Sequence, residues 1–330
     1  MVRARALSGL LQVARRFGLS PQDLLRQVGL DAAVLADSER RLPISSVCQL
    51  LEMAAEKSAC ATFGLQMADT RQPFDFGMIE LVLSHKRTLR EVLLAAVQYR
   101  HLLNEALAIH VESGGDKVVV REEIMASPGI STRQATELAV GLLSRTCVGL
   151  LGEHWKPWSV NFTHPAPEDR RFHRQFFGCA VEFDSDFNGL VCAAADLDRP
   201  NPNADPELVK YAESLARPLN VSGPESIVLD VRKTIHLLLP IEQATVDEVA
   251  LYLHVSVRTM QRQLEAAGTS FSNLVEDVRQ ELAVRYLTNR RYPIGQVATL
   301  LGYSRQSSFT QWFTARFGTT PRAWRAARLK

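Results

Sequence analysis

Two segments in the last third of the chain follow one pattern. Residues 246–264 read VDEVALYLHVSVRTMQRQL and residues 294–313 read IGQVATLLGYSRQSSFTQWF. With one residue inserted in the second segment, the matching positions are Val249 with Val297, Ala250 with Ala298, Leu253 with Leu301, Ser256 with Ser304, Met260 with Phe309 and Leu264 with Phe313. Each copy predicts a helix, a short turn and a serine-capped second helix. The repeat therefore predicts two helix-turn-helix units.

The second helix of the first copy is amphipathic. Met260 and Leu264 belong to its apolar face. The opposite face carries Arg258 and Arg262, with Gln261 beside them. Arginine pairs with guanine and glutamine pairs with adenine in the major groove of DNA. This face therefore favours readout of DNA bases.

The second helix of the second copy has an aromatic face and a polar face. Ser307 and Gln311 point outward and Thr310 lies on the flank. The apolar face holds the aromatic residues Phe309, Trp312, Phe313 and Phe317. We expect these rings to form core rather than to stack on bases. A simple packing bundle is the alternative interpretation, although its solvated face would usually carry Glu and Lys.

The segment between the two copies predicts a single long helix. Residues 270–290 read SFSNLVEDVRQELAVRYLTNR and carry apolar residues at helical spacing. At 1.5 Å per residue, a 21-residue helix is about 32 Å long. Successive major-groove segments on one side of B-DNA lie about 34 Å apart. We therefore expect this linker helix to place the two units in adjacent grooves.

The charge balance changes along the chain. Residues 1–223 hold 24 Lys and Arg against 27 Asp and Glu, whereas residues 224–330 hold 14 against 9. The C-terminal third is therefore basic, which favours a polyanionic partner. Prolines, Gly223 and Asn220 interrupt the helical pattern between the two parts. We expect an N-terminal domain at 1–215, a linker at 216–223 and a C-terminal domain at 224–330.

The N-terminal part predicts an α+β domain. Several amphipathic helices are followed by two strands around Gly114–Gly115, a pattern typical of a hairpin. A long helix over 132–152 and shorter strands come after the hairpin. Residues 88–107, TLREVLLAAVQYRHLLNEAL, predict one continuous helix. The C-terminal part, in contrast, predicts an all-α domain.

The sequence carries no motif that indicates an enzyme, a metalloprotein or a membrane protein. The sequence contains no GxSxG, P-loop, GxGxxG or HExxH motif, so we expect no catalytic residues, no metal site and no cofactor. The five cysteines form no CxxC pair and are expected to be reduced, apolar residues. No apolar run is long enough to span a membrane and no signal peptide is expected, which together predict a cytoplasmic protein.

The C-terminal domain resembles the DNA-binding domain of the AraC/XylS family of bacterial transcription regulators. The resemblance rests on SVRTMQRQL, AAGTSF, VRQELAVRYL, VATLLGYSRQSSF and FGTTPRAWR. Residues 1–215 resemble the arabinose-binding-like effector domain of one branch of that family, through LSPQDLLRQVGLDAAVLADSERRLP and FDFGMIELVLSHKRTLREVLLAAVQYRHLLNEAL. The resemblance implies DNA contacts by Arg258, Gln261 and Arg262 in the first unit and by Gln306, Ser307, Thr310 and Gln311 in the second.

The resemblance also implies a function and partners. It implies a transcriptional activator that binds a promoter operator in double-stranded DNA, responds to a small-molecule effector and contacts RNA polymerase, and it leaves a homodimer open. A regulator whose N-terminal domain only dimerises or binds a protein partner is the alternative. The sequence assigns no effector-binding residues. The aromatic residues Trp155, Trp158, Phe162, Phe172, Phe176 and Phe177 could line a pocket, but ordinary core is the preferred interpretation.

Overall fold

The structure is a computed structural model, and it describes residues 1–127, 129–216 and 224–328. The chain divides into two compact units, Met1–Asn220 and Val221–Lys330. The linker predicted at 216–223 lies outside the described residues except for Ala216. The N-terminal unit combines helices with a sheet and the C-terminal unit is helical, so the predicted fold class is confirmed.

The N-terminal unit contains ten α-helices among its described residues. They are α1 Leu10–Arg16, α2 Pro21–Gln27, α3 Ile44–Lys57, α4 Phe63–Asp69, α5 Glu80–Ser84, α6 Leu89–Gln98, α7 Arg100–Leu103, α8 Arg133–Leu151, α9 Arg171–Phe177 and α10 Pro206–Ala216. The single helix predicted over 88–107 is wrong, because α6 ends at Gln98 and α7 at Leu103. The side chain of Asn104 accepts a hydrogen bond from the amide of Ala106, which stabilises a turn in place of helix.

Seven strands form two sheets in this unit. They are β1 Val2–Arg3, β2 Arg41–Leu42, β3 Leu107–Gly114, β4 Lys117–Ile124, β5 Ser159–Asn161, β6 Ala180–Glu182 and β7 Gly189–Ala193. Strands β1 and β2 pair with each other, and the larger sheet has the order β3-β4-β7-β5-β6. The predicted hairpin is confirmed, since Leu107 pairs with Ile124 and Gly114 with Lys117.

The core of the N-terminal unit lies between the larger sheet and the helices. The helix α8 packs on α3, α4 and β4, and it carries Val140 and Cys147 toward the buried side. Of the six aromatic residues in question, Trp155, Phe162 and Phe177 are buried, Phe172 and Phe176 are partly buried against the core, and Trp158 is exposed. Core packing is thus the role of five of the six residues.

The C-terminal unit contains seven helices among its described residues. They are α11 Pro224–Leu238, α12 Val246–Tyr252, α13 Val257–Ala266, α14 Phe271–Thr288, α15 Ile294–Leu300, α16 Gln306–Phe317 and α17 Pro321–Arg328. The first helix-turn-helix unit is α12 and α13, and the second is α15 and α16. The repeat positions Met260, Leu264, Phe309 and Phe313 are all buried in one core.

The linker helix α14 is shorter than the segment predicted for it. It has 18 residues, which gives about 27 Å at 1.5 Å per residue. Ser270 is the N-cap and accepts a hydrogen bond from the amide of Asn273. Beyond Thr288, the side chain of Asn289 accepts a hydrogen bond from the amide of Arg291, which favours a turn. Both end residues of the predicted range, 270 and 290, therefore lie outside the helix.

Candidate DNA-binding surface

The turn of each helix-turn-helix unit requires a left-handed backbone. His254 has φ of 55° in the first turn, and Gly302 has φ of 75° at the matching position of the second. A glycine adopts this conformation without cost, whereas a side chain makes it strained. A Cβ added at Gly302 would also lie 3.3 Å from Cδ1 of Leu239. The two turns therefore share one backbone conformation, which costs more free energy at His254 than at Gly302.

The first recognition helix, α13, begins at a side-chain cap. The hydroxyl of Ser256 accepts a hydrogen bond from the amide of Thr259, as the repeat predicted. The cap predicted at Ser304 in the second unit is wrong. There Arg305 is the N-cap of α16 and makes no side-chain cap hydrogen bond. The inserted residue explains the difference, because it moves the start of α16 one position away from the serine.

The predicted reading residues of α13 share one exposed face. Arg258, Gln261 and Arg262 are all exposed and stand three and four positions apart, which is the spacing of neighbours on a helix surface. Their side chains make no ion pair or hydrogen bond with any residue described in 224–328. Two positive charges and an amide are therefore available on this face for a partner outside the unit.

The predicted reading residues of α16 also come together. Gln306, Ser307 and Gln311 are exposed and Thr310 is half-buried, and all four line one shallow concavity. The hydroxyl of Thr310 donates a hydrogen bond to the carbonyl oxygen of Gln306 at 3.0 Å. The hydroxyl hydrogen of Thr310 is therefore already engaged, although the hydroxyl oxygen can still accept a hydrogen bond. This face is uncharged, in contrast to that of α13.

Side chains of α14 hold α16 in place. The indole Nε1 of Trp312 donates to a carboxylate oxygen of Glu276 at 2.6 Å, and the guanidinium of Arg316 donates to Gln280 at 3.0 Å. Beneath the helix, the rings of Phe313 and Phe317 stack with centroids 4.1 Å apart. Burial raises the pKa of Tyr303, which packs on Phe309, to about 12, so its hydroxyl stays neutral. The second reading face is therefore fixed to the linker helix.

Arginines that the sequence analysis did not single out surround the second unit. Arg290 and Arg322 line a concavity that Gln306 also lines, and Arg305 is exposed at the start of α16. Arg325 lines the same concavity, but its Nε donates to the carbonyl oxygen of Leu287 and burial lowers its pKa. The sequence did carry a signal for this surface, since residues 282–330 contain nine Lys and Arg and no Asp or Glu.

A separate cavity lies in the N-terminal unit. It has a volume of about 130 Å³ and is bordered by the strands β1, β3 and β4 and the helices α3, α5, α6, α7 and α8. Twenty of its 26 lining residues are apolar, and none of the six aromatic residues considered above is among them. Glu122 lines the cavity with only 5% of its surface exposed, and one carboxyl oxygen has no hydrogen-bond partner. Burial raises the pKa of Glu122 to about 8, so the carboxyl is mostly protonated at neutral pH.

Across 1–127, 129–216 and 224–328, no group of three or more His, Cys, Asp or Glu side chains is placed to hold a metal ion. Within the same ranges, no helix has the length and apolar character that crossing a membrane requires.

The chain combines two helix-turn-helix units on one linker helix with a separate α+β unit. This combination defines a DNA-binding transcription regulator. Known families agree with this class. The model of the arabinose-binding domain of AraC transcription regulators matches residues 18–201, and a helix-turn-helix domain model matches residues 232–327. The chain belongs to the AraC family of transcription regulators.

Similar proteins of known class are also transcription regulators. The HTH-type transcriptional regulator VirS of Mycobacterium tuberculosis is 29% identical, over 99% of this chain and 96% of its own length. The ornithine utilization regulator of Pseudomonas aeruginosa is 27% identical, over 96% of this chain and 94% of its own length. Among solved structures, the transcriptional regulator CdpR from Pseudomonas aeruginosa has 20% identity and a TM-score of 0.44, covering 92% of this chain and 97% of that one.

Proposed function

We propose that this regulator binds a specific operator through both helix-turn-helix units at once. The observation that supports this most directly is the pair of polar faces on α13 and α16, joined by the continuous helix α14. In this proposal residues 224–330 are the DNA-binding domain, residues 1–215 are the effector and dimerisation domain, and residues 216–223 link them.

The proposed roles follow from side-chain chemistry. Arg258 and Arg262 make bidentate contacts to guanine or contact phosphate, and Gln261 contacts adenine. Gln306, Ser307, Thr310 and Gln311 contact base edges in the second groove, with Thr310 acting as an acceptor. Their contacts carry no net charge and depend on hydrogen-bond geometry. The reading face of α16 would therefore contribute sequence discrimination with little salt dependence.

We assign the phosphate contacts of the second unit to the surrounding arginines. Arg290, Arg305 and Arg322 lie beside the reading face of α16, and the start of that helix has no side-chain cap. Amide groups at a helix start and arginine side chains both favour phosphate. These contacts would position the protein on DNA without selecting a sequence.

The finer regulatory role is also a proposal. We infer that the cavity of the N-terminal unit holds a small effector and that the protein acts in the cytoplasm as an activator that contacts RNA polymerase. An N-terminal domain that only dimerises or binds a protein partner is the competing possibility. The 130 Å³ cavity, with a buried carboxyl that lacks a full set of partners, favours an effector.

Selection of binding sites from random-sequence DNA tests the proposal. The full chain should enrich one sequence and bind it about 10³-fold or more tightly than scrambled DNA at physiological salt. The control is a variant with Arg258, Gln261 and Arg262 all changed to Ala, which should fold but keep only the part of the sequence preference that the second unit supplies. Equal affinity of the wild type for selected and scrambled DNA would refute a sequence-specific regulator.

A further inference from the structure

The cavity of the N-terminal unit has a composition that restricts its ligand. Its apolar lining comes from the strands β1, β3 and β4 and the helices α3, α5, α6, α7 and α8, and its volume is about 130 Å³. An apolar cavity of about 150 Å³ holds a benzene-sized molecule. A ligand with an apolar body of about six non-hydrogen atoms therefore fits this space.

Glu122 is the buried hydrogen-bonding group of the cavity. It stands on β4 opposite Ile109 of β3, and burial leaves one of its carboxyl oxygens without a partner. Its main-chain amide is already engaged with the carbonyl oxygen of Asn188. A buried polar atom without a partner costs free energy, which a ligand that completes the hydrogen bond would recover.

The three arginines of the lining, Arg3, Arg5 and Arg71, differ from Glu122, because each already donates to a carboxylate. Arg71 donates to the side chain of Asp75 at 3.1 Å, and Arg5 donates to Asp75 at 3.1 Å and to Ser38 at 3.0 Å. A ligand therefore meets one acid with an unpaired oxygen and three arginines held by neighbouring carboxylates, of which only the Nε of Arg5 is buried without a partner. Glu122 is the better anchor.

We propose that the cavity binds a small, uncharged, largely apolar compound with one oxygen acceptor that takes a hydrogen bond from the carboxyl of Glu122. This inference rests on the proposed effector function and specifies the chemical class of the effector. A sugar does not fit, because each hydroxyl that faced an apolar side chain would lose its hydrogen bonds to water. A cationic amine fits less well than a neutral acceptor, because its charge would have to be desolvated among apolar side chains.

Four probe compounds test this class on the full chain by isothermal titration calorimetry. Cyclohexanone has the size and the acceptor, toluene has the size without the acceptor, cyclohexylamine replaces the acceptor with a cation, and L-arabinose is a sugar. We expect cyclohexanone to bind with a Kd in the millimolar range or below, more tightly than the other three. Absence of cyclohexanone binding, or tighter binding of arabinose or cyclohexylamine, would overturn the proposal.

Two variants of Glu122 separate donation of a hydrogen bond from a charge effect. Glu122→Gln keeps a donor of the same size, so its affinity for cyclohexanone should stay within about threefold of wild type. Glu122→Met removes the donor and should weaken cyclohexanone binding roughly tenfold while toluene binding is kept. Loss of cyclohexanone binding in Glu122→Gln, or no change in Glu122→Met, would contradict donation by the carboxyl. The exposed substitution Glu153→Gln is the control and should change neither affinity.

The same preparations are then tested on the selected DNA site. Wild-type protein that recognises the DNA but binds no cyclohexanone would overturn only the ligand class. Protein that binds cyclohexanone but shows no DNA preference would instead overturn the proposed regulator and leave the cavity assignment standing.

Discussion

The two helix-turn-helix units share a backbone plan but differ in their side chains. In the first, the apolar side of the recognition helix is aliphatic, with Met260 and Leu264, and the polar side carries two arginines. In the second, the apolar side is aromatic, with Phe309 and Phe313, and the polar side is uncharged. The same fold thus presents two different chemistries on the two faces that we propose contact DNA.

The charge of the residues around the two reading faces differs in the opposite direction from the charge on the faces themselves. The first helix of the first unit carries Asp247 and Glu248 in its first turn, whereas residues 282–330 contain no acid. Charge lies on the reading face in the first unit and around the reading face in the second. We infer that the first unit contributes charged base contacts and that the second combines neutral readout with phosphate contacts.

A break in the linker helix should have the largest effect, because it uncouples the two units. Asp277→Pro should kink α14 at an exposed position, at a cost of about 3 kcal/mol or more in the free energy of unfolding. Operator affinity should collapse, or the second protected groove should disappear from a footprint while the first remains.

The matched control is Asp277→Ala, which removes the same charge and keeps the helix. It should bind DNA like the wild type. A proline variant that folds and protects both grooves would show that α14 does not set the spacing.

The charged reading face predicts the next largest effect. Arg262→Ala should weaken operator binding by about 1–3 kcal/mol and relax the sequence preference at one base pair. Arg262→Lys is the matched variant, because it keeps the charge but loses the bidentate geometry. Lysine should restore most of the affinity for scrambled DNA but little of the sequence preference, as measured by binding titrations at fixed salt. Full restoration of both would indicate a phosphate contact instead.

The basic surroundings of the second unit predict a smaller effect that is independent of sequence. Arg322→Ala should lower affinity for operator and scrambled DNA alike, and it should reduce the slope of log K against log salt by about 1. The exposed Arg15→Ala, in the N-terminal unit, removes the same charge and should leave the slope unchanged. A change in sequence preference for Arg322→Ala would place this residue at a base rather than at phosphate.

The difference between the two turns predicts the smallest effect. His254→Gly should stabilise the protein by about 0.5–1 kcal/mol. Glycine removes the steric cost of the left-handed backbone, but it loses more conformational entropy on folding than histidine, which offsets part of the stabilisation. His254→Ala keeps a Cβ and should not stabilise. Thermal unfolding of the full chain compares the two variants. Equal stabilisation by both would mean that the histidine ring, not the backbone, is the source of the cost.

The repeat made the C-terminal unit predictable, because periodic burial has a direct counterpart in helix geometry. Met260, Leu264, Phe309 and Phe313 were all expected in the core and are buried there. Element ends were harder, since single side chains decide them. Asn104 and Asn289 each form a turn with the amide two residues later, and such local hydrogen bonds end a helix whose apolar pattern continues.

The cavity and the basic surface were missed for different reasons. Glu122 lies on the same buried face of β4 as Val118, Val120 and Ile124, because every second residue of a strand points to one side. The strand pattern therefore did place an acid inward. The cavity itself depends on how eight separate helices and strands pack, which no local pattern encodes. Arg290, Arg305 and Arg322 stand on different elements, and only the absence of acids after Glu281 connects them in the sequence.

Hydroxyl-radical footprinting of the full chain on its selected operator tests the central claim most directly. On a site that binds one chain, two protected segments should lie about 10 base pairs apart on the same face of the DNA, because the continuous helix α14 joins the two units and fixes their separation. A single protected segment, or two segments on opposite faces of the DNA, would contradict simultaneous reading by both units.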